Sequence, residues 1–247
     1  MSTLELRNLS KAFGGVRALA GVSFSLSGGE LLALIGPNGA GKSTCFNLIG
    51  GQLRPDAGEI FFDGKPIHGL APRRLFHLGI GRTFQVAAAF GSLSVRENIE
   101  VALRSRQGRS FSLFQAGNPD RTKELLERVG LLEQAQRPCA LLAYGDLKRV
   151  ELALALAGRP RLLLMDEPTA GMASEERGEL MRLVGSLARG EGIAVLFTEH
   201  DMDVVFGHAD RVLVLSEGAL IAQGTPAAVR ADARVRRVYL GDELADA

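Results

Sequence analysis

Residues 36–43 read Gly36-Pro37-Asn38-Gly39-Ala40-Gly41-Lys42-Ser43, which is the complete pattern G-x-x-x-x-G-K-[ST] of a phosphate-binding loop. The pattern is informative when it connects a strand to a helix. Here the continuous apolar run 31–35 precedes it, and the apolar, helix-like stretch 44–50 follows it. The sequence therefore predicts an α/β fold that binds a nucleoside triphosphate at this loop.

The residue types of the loop suit contacts with phosphate groups. Its glycines allow a tight turn and a close approach, so that backbone N–H groups and the positive end of the next helix can hold an anion. We expect Lys42 to reach the β- and γ-phosphates, Ser43 to ligate magnesium, and Thr44 to donate to an inner phosphate. An ordinary glycine-rich turn would explain the glycines, but it does not require the lysine and the serine. The residues predicted to bind the nucleotide are Gly36, Pro37, Asn38, Gly39, Ala40, Gly41, Lys42, Ser43 and Thr44.

The composition is that of a globular protein. The 247 residues are 46% hydrophobic, enough to fill the core of one large α/β unit or of two small ones. The longest aliphatic stretches, such as residues 152–157, are far shorter than the roughly 20 residues of a membrane span. The first seven residues alternate like a strand and lack the features of a signal peptide, so we expect a cytoplasmic location.

The charge argues against a nucleic acid site, and the cysteine content argues against a disulfide or a zinc site. The formal net charge of +1 provides no broad basic surface, so we expect no nucleic acid partner. Cys45 and Cys139 lie in apolar surroundings without C-x-x-C spacing. We therefore expect both to be core residues, with neither a disulfide nor a zinc site.

The distribution of apolar residues predicts a layered architecture. Alternating residues near the start indicate antiparallel strands, whereas later continuous apolar runs are typical of a parallel sheet covered by helices on both faces. The alternating or short β-like segments are 4–9, 22–26 and 58–62, and the continuous runs are 31–35, 162–165, 193–197 and 212–215. Between these groups the patterns predict helices, at 95–103, 121–129 and 147–157. A hairpin turn at Glu217-Gly218 and a helix capped by Thr225 are expected near the end.

Two carboxylates and a histidine follow neighbouring predicted strands. Asp166 and Glu167 come directly after the apolar run 162–165, and His200 follows the next run. Because the carboxyl ends of parallel strands meet at one edge of a sheet, these side chains should lie near the phosphate-binding loop. Asp166 would hold Mg²⁺, and Glu167 would orient or deprotonate an attacking water. A pair of polar residues that only ends a strand would produce the same pattern.

Nearly the full chain resembles the nucleotide-binding subunits of ATP-binding cassette (ABC) transporters. The resemblance rests on five segments in the order found in that family: 36–44, Arg82-Thr83-Phe84-Gln85, Leu142-Ala143-Tyr144-Gly145-Asp146, 164–169 and Thr198-Glu199-His200-Asp201. It implies an α/β P-loop NTPase with a parallel-sheet core and an N-terminal antiparallel β subdomain. One ABC ATPase domain would span residues 1–247, with a RecA-like core and antiparallel strands at about 1–91 and 158–247. A helical subdomain would be inserted at about 92–157.

The resemblance also implies roles for residues that the motifs alone do not explain. Phe13 occupies the position that stacks on adenine, although an aromatic residue at a strand end can equally belong to a core. Gln85 matches the residue that contacts magnesium and the attacking water. His200 matches the switch histidine, which reaches the γ-phosphate. The predicted catalytic set consists of Lys42, Gln85, Glu167 and His200. The predicted magnesium ligands are Ser43, Gln85 and Asp166.

The signature segment departs from the usual family sequence Leu-Ser-Gly-Gly-Gln. In the family this segment meets the γ-phosphate bound by the opposite subunit, so the resemblance places Ala143, Tyr144, Gly145 and Asp146 at a nucleotide in trans. Ala143 has no hydroxyl group to donate, so the contact must depend more on the backbone at Gly145 and on the following helix. The segment 170–173 also lacks the aspartate that usually communicates between subunits.

Several features are similar to one branch of the family, the ATPases of branched-chain amino acid importers. These are the Tyr-Gly signature followed by 148–151, the stretch 90–99, and Tyr239-Leu240-Gly241, although the last also resembles the lipopolysaccharide-export ATPase. The resemblance implies an ATP- and Mg²⁺-dependent ATPase that works as a homodimer or heterodimer on transmembrane permease subunits at the inner face of the membrane. A periplasmic solute-binding protein would take part indirectly. Export of a lipid or lipopolysaccharide, a soluble non-transport ATPase and a non-catalytic scaffold are the alternatives.

Overall fold

The computed structural model describes residues 2–83, 89–106 and 118–240, which form two sheets and the helices around them. The strands are β1 (Ser2–Phe13), β2 (Val16–Ser27), β3 (Leu31–Ile35), β4 (Ala57–Phe62), β5 (Lys65–Pro66), β6 (Ile80–Arg82), β7 (Leu162–Asp166), β8 (Ala194–Thr198), β9 (Arg211–Ser216) and β10 (Ala219–Gly224). The helices are α1 (Lys42–Ile49), α2 (Pro72–Leu78), α3 (Val95–Arg106), α4 (Pro119–Arg128), α5 (Tyr144–Ala157), α6 (Ser174–Glu191), α7 (Met202–His208), α8 (Pro226–Ala231) and α9 (Ala233–Leu240).

The main sheet is mostly parallel, as the continuous apolar runs predict. Its strand order is β10-β9-β3-β8-β7-β6, and only the β9–β10 pair is antiparallel. Strands β3 and β8 are buried at every position. Their alternate side chains enter two cores, one shared with α5 and α6 and the other with α1 and the second sheet. The sheet is therefore covered on both faces, which explains its apolar sequence.

The second sheet is antiparallel, with strand order β2-β1-β4-β5. Strand β1 pairs with β2 on one side and with β4 on the other. In β2 the second half alternates between buried and exposed positions, because only one face packs on the core. The fold is thus an α/β core with an antiparallel β unit near the amino terminus, as predicted.

Within the described residues, helices α3, α4 and α5 lie between β6 and β7, where the sequence predicts helices and no strand. The predicted start of the third one is wrong. Helix α5 begins at Tyr144 instead of Leu147, since the N–H of Leu147 donates to the carbonyl oxygen of Ala143 and closes the first helical turn. This earlier start places Gly145 and Asp146 in the first turn of α5. The division of the chain at residues 92 and 157 stays a prediction.

The hairpin and capped helix near the end are confirmed. Glu217 and Gly218 both have positive φ angles, 48° and 77°, as a tight β9–β10 turn requires. The hydroxyl of Thr225 accepts from the N–H of Ala228 at 3.3 Å, and Pro226 is the first residue of α8.

The sequence patterns did not predict several other elements. They are β5, α2, β6, α6, α7 and α9. Strand β6 is too short to produce a run, and α6 combines an apolar stripe with three glycines and many charges.

Both cysteines are buried and unpaired, as expected, and burial raises the pKa of Cys45 to about 12. Among the helices in the described ranges, none is long and apolar enough to cross a bilayer.

Candidate nucleotide-binding site

The loop 36–43 connects β3 to α1, and two of its glycines are required by packing. Gly41 has a φ angle of 105°, and a Cβ atom there would lie 2.3 Å from the carbonyl oxygen of Ala18. A Cβ atom at Gly36 would lie 2.2 Å from the carbonyl oxygen of Leu215. Gly39 is different, because a Cβ atom there would have no neighbour within 4 Å. The open side of the loop is therefore at Asn38 and Gly39, which are exposed.

The side chain of Lys42 folds back onto the loop. Its Nζ donates to the carbonyl oxygens of Gly36, at 2.6 Å, and Pro37, at 3.0 Å. The residue is 8% exposed, and this burial lowers the pKa of its ammonium group, while the charges of Glu167 and Asp166 raise it. A cation with such limited hydration is suited to bind an anion.

The beginning of α1 also fits a phosphate group. Its N-cap residue, Gly41, has no side chain to accept a hydrogen bond from the first backbone N–H groups, and the first turn contains no acidic residue. Such N–H groups are available to an anion. Ser43 is exposed and Thr44 half-buried in this first turn. The residues present therefore fit the triphosphate that the motif predicts.

Asp166 ends β7 and is held by two neighbours. The hydroxyl of Thr198 donates to its Oδ1 at 2.8 Å, and Nη2 of Arg82 lies 3.6 Å from its Oδ2. Register explains the first contact, because Asp166 pairs with Thr198 across the β7–β8 ladder. Strand β8 thus extends one residue beyond the predicted run. Burial lowers the pKa of Arg82, and Asp166 opposes this effect.

Glu167 adopts a left-handed backbone conformation, with a φ angle of 48°, which is uncommon for a residue with a side chain. Its N–H donates to the hydroxyl of Thr198 at 3.0 Å, and also lies 3.2 Å from the Thr198 carbonyl oxygen. Its Oε1 lies 2.8 Å from Nε2 of His200. The edge of the sheet therefore brings Lys42, Asp166, Glu167 and His200 together, as the sequence predicts.

A third carboxylate, Glu199, is buried beside this group. It accepts hydrogen bonds from Thr169 and from the N–H of His200. Sequence reasoning assigned no role to Arg82, Thr198, Thr169 or Glu199. The signal available was a polar pair, Thr198-Glu199, at the end of an apolar run, but its partners depend on strand order, which no single pattern contains.

The other predicted site residues lie on other elements, β1 and the beginning of α5. Phe13 ends β1, is 47% exposed, and has Nζ of Lys11 5.5 Å from its ring centroid. The signature residues Ala143 and Tyr144 are exposed at the beginning of α5, Gly145 is buried and Asp146 half-buried. A Cβ atom at Gly171 would lie 3.3 Å from the Tyr144 ring, so the signature packs against the segment that leads into α6. Gln85 lies outside the described residues.

The residues predicted to bind magnesium offer oxygen atoms as ligands. Within 2–83, 89–106 and 118–240, no group of three histidine, cysteine, aspartate or glutamate side chains could hold a metal ion. The predicted ligands are instead a hydroxyl from Ser43, a carboxylate from Asp166 and the amide of Gln85. Hydroxyl, carboxylate and phosphate oxygens are the ligands that Mg²⁺ prefers, so Ser43 and Asp166 suit the ion.

The family follows from a direct comparison. Residues 19–170 match the sequence model described as "ABC transporter". The chain belongs to the ABC transporter family. It is an ABC-type ATPase, and residues 219–245 match a second model, "Branched-chain amino acid ATP-binding cassette transporter".

Relatives match this family member over nearly their full lengths. The high-affinity branched-chain amino acid transport ATP-binding protein LivG of Escherichia coli K12 is 37% identical, over 97% of this chain and 98% of LivG. The corresponding protein BraF of Pseudomonas aeruginosa is 36% identical over the same shares. The lipopolysaccharide export system ATP-binding protein LptB of Escherichia coli K12 is also 37% identical, over 99% of each chain.

Solved structures of other ATP-binding cassettes share the fold. The ADP conformation of the cassette MJ1267 is 33% identical, with a TM-score of 0.87 over 98% of this chain and 100% of that one. A dimeric cassette, MJ0796, bound to ADP and phosphate, is 28% identical, with a TM-score of 0.77 over 90% and 98%. The α/β architecture with its antiparallel unit is therefore that of the ABC ATPases.

Proposed function

We propose that this chain is the ATP-hydrolysing subunit of a membrane transporter that imports branched-chain or related amino acids. The observation that carries the proposal is the identity of 37% with LivG over nearly both full chains, together with the match of residues 219–245 to the branched-chain model. We infer that the chain lies in the cytoplasm, at the inner face of the membrane, bound to transmembrane permease subunits. A periplasmic solute-binding protein would deliver the cargo to those subunits.

The roles of the site residues follow from their chemistry. Lys42 and the N–H groups at the beginning of α1 would bind the phosphates, and the exposed ring of Phe13 would stack on the adenine. Ser43, Asp166 and Gln85 would hold Mg²⁺, which neutralises charge on the phosphates. Glu167 would orient the attacking water and accept its proton, and His200, 2.8 Å away, would hold that carboxylate and reach the γ-phosphate.

A complete site would require a second subunit. The residues Ala143, Tyr144, Gly145 and Asp146 would meet the nucleotide of the partner, with backbone N–H groups at the start of α5 replacing the missing hydroxyl. The dimer of MJ0796 supports such an arrangement. The partner would be a second copy of this chain or a related ATPase. ATP would favour the closed dimer, and hydrolysis would release it, a population shift that permeases can use.

Lipid or lipopolysaccharide export is the second candidate, because LptB has the same identity as LivG and slightly greater coverage. The cargo of such a transporter is recognised by other chains, so the ATPase site does not discriminate between them. A soluble, non-transport ABC ATPase is the remaining alternative.

The test is purification of the tagged full chain from its native membranes, followed by identification of the proteins that co-purify. Two permease chains and a periplasmic solute-binding protein support the importer. Permeases accompanied by a lipopolysaccharide-binding protein support the exporter instead. Ribosomal or DNA-repair proteins without any permease contradict a transport function.

A further inference from the structure

Glu199 is a buried carboxylate that connects two loops of the site. It is 4% exposed, and it follows β8 directly. One of its oxygens accepts from the N–H and the hydroxyl of Thr169, at 2.8 and 2.7 Å. The other accepts from the backbone N–H of His200 at 3.3 Å. Because Thr169 lies in the loop after β7, Glu199 ties the loop that carries Glu167 to the loop that carries His200.

We propose that Glu199 is a positioning residue, which together with Thr169 holds His200 against Glu167. The proposal rests on the proposed function, since it concerns residues assigned to ATP hydrolysis. The side chain of His200 is 52% exposed, so packing does little to orient its ring. Its distance of 2.8 Å from Glu167 therefore depends on the relative position of the two loops. Thr169 is 1% exposed, so the connection is shielded from water.

The position requires a carboxylate in particular. Within the described residues, the three groups that hydrogen-bond to Glu199 all act as donors, and a carboxylate accepts at both oxygens. In Glu199→Gln the amide has one oxygen and one nitrogen, so its NH₂ group must face either His200 N–H or the Thr169 donors. The part-buried N–H of His200 or the buried N–H of Thr169 then faces another donor and loses its partner. Glu199→Asp retains two acceptors on a shorter side chain, so it should retain part of the function.

The first measurement is steady-state ATP hydrolysis by the full chain. We expect kcat to fall at least about tenfold in Glu199→Gln, because small errors in the placement of catalytic groups are costly. ATP affinity should change by less than about twofold, since neither Glu199 nor Thr169 belongs to the phosphate-binding loop. Glu199→Asp should lie between the parent and Glu199→Gln. A kcat in Glu199→Gln equal to that of the parent overturns the proposal.

A matched control separates positioning from a general effect of buried polar substitutions. Thr169→Val removes the hydroxyl that Glu199 accepts from, and it should lower kcat as well. Thr122→Val removes a hydroxyl that is equally buried, at 0% exposure, and that donates to the Asn118 carbonyl oxygen at 3.0 Å in α4. We expect Thr122→Val to retain the parental kcat. A double variant Thr169→Val/Glu199→Gln should lose less than the product of the single losses, because the two side chains act as one unit.

The second measurement is the NMR signal of the His200 imidazole, assigned with His200→Ala. Glu199→Gln should change its chemical shift, and Thr122→Val should leave it unchanged. A lower kcat with an unchanged His200 signal overturns the positioning role, because the loss then has another cause. If the parental chain hydrolyses no ATP, the proposed function is contradicted, and the imidazole signal alone decides whether Glu199 positions His200.

Discussion

At the scale of single residues, one hydroxyl contacts both the Asp166 carboxylate, at the end of β7, and the backbone N–H of Glu167. Thr198 donates to Asp166 and accepts from the N–H of Glu167, so its hydroxyl uses its donor and one acceptor site. Thr198→Val has nearly the same shape but removes these contacts in a site that is 1% exposed. We expect ATP turnover to fall about tenfold and the Mg²⁺ concentration for half-maximal rate to rise, because Asp166 loses its orientation.

Thr198→Ser is the control for this prediction, because it retains the hydroxyl. Its turnover and Mg²⁺ dependence should remain close to those of the parent. A Thr198→Val variant with parental turnover at every Mg²⁺ concentration contradicts the assigned contact.

Two glycines of the phosphate-binding loop should differ in their tolerance of a side chain. Both Gly41 and Gly39 have positive φ angles, 105° and 81°, so alanine is strained at either position. Only at Gly41 would the new Cβ atom also meet a backbone atom, at 2.3 Å from the Ala18 carbonyl oxygen. We expect Gly41→Ala to lower the free energy of unfolding by at least about 2 kcal/mol more than Gly39→Ala in urea titrations. Equal losses would show that the clash is relieved by movement.

At the scale of elements, α5 contains a buried ion pair one turn after its first residues. Lys148 and Glu151 are each 4% exposed at the side chain, and their charged atoms lie 3.2 Å apart. Burial raises the pKa of Glu151, and the charge and hydrogen bond of Lys148 oppose this effect. Replacing Lys148 by Met therefore leaves an unpaired buried carboxylate, which costs about 3–5 kcal/mol at pH 7.

The pH dependence of this variant has a definite sign. A raised pKa in the folded state means that the folded chain binds more protons than the unfolded one, so stability falls as pH rises above about 4.3. Because the pKa of Glu151 should rise further without Lys148, the stability deficit of Lys148→Met should shrink as pH falls from 7 towards 5. Urea titrations at several pH values measure this deficit.

The matched control is Lys123→Met in α4, where the pair with Glu127 is exposed, with side-chain exposures of 62% and 51%. Such a pair contributes less than about 1 kcal/mol. A Lys148→Met deficit that is equally small, or that grows towards acid pH, contradicts the account of α5.

The helices and strands also differ in how well the sequence predicts them. Strands β3, β7, β8 and β9 were predictable, because burial on both faces requires continuous apolar runs. The beginning of α5 was not, because Ala143 provides no capping side chain, Tyr144 and Gly145 carry no helix-start signal, and Asp146 is the single acidic residue of the first turn. The contacts of Thr198 and Glu199 depend on β7 and β8 being neighbours, a fact of sheet order that local patterns do not contain.

At the scale of the whole molecule, the proposed site is shared between two subunits. A variant that binds ATP without hydrolysing it should accumulate in the closed dimer. We therefore expect Glu167→Gln to shift from monomer towards dimer on addition of ATP, as measured by light scattering after size-exclusion chromatography. Adding Lys42→Ala to this variant should abolish the shift, since the phosphates lose their ammonium contact. Glu167→Gln that stays monomeric at saturating ATP contradicts the shared site.

The most direct test of the account is phosphate release at saturating Mg-ATP, compared between the parental chain and Glu167→Gln. The central claim is that this chain hydrolyses ATP with Glu167 activating the water. The account predicts turnover by the parent and a loss of at least about 100-fold in Glu167→Gln, with ATP binding retained in both. Hydrolysis by Glu167→Gln at the parental rate would contradict the account.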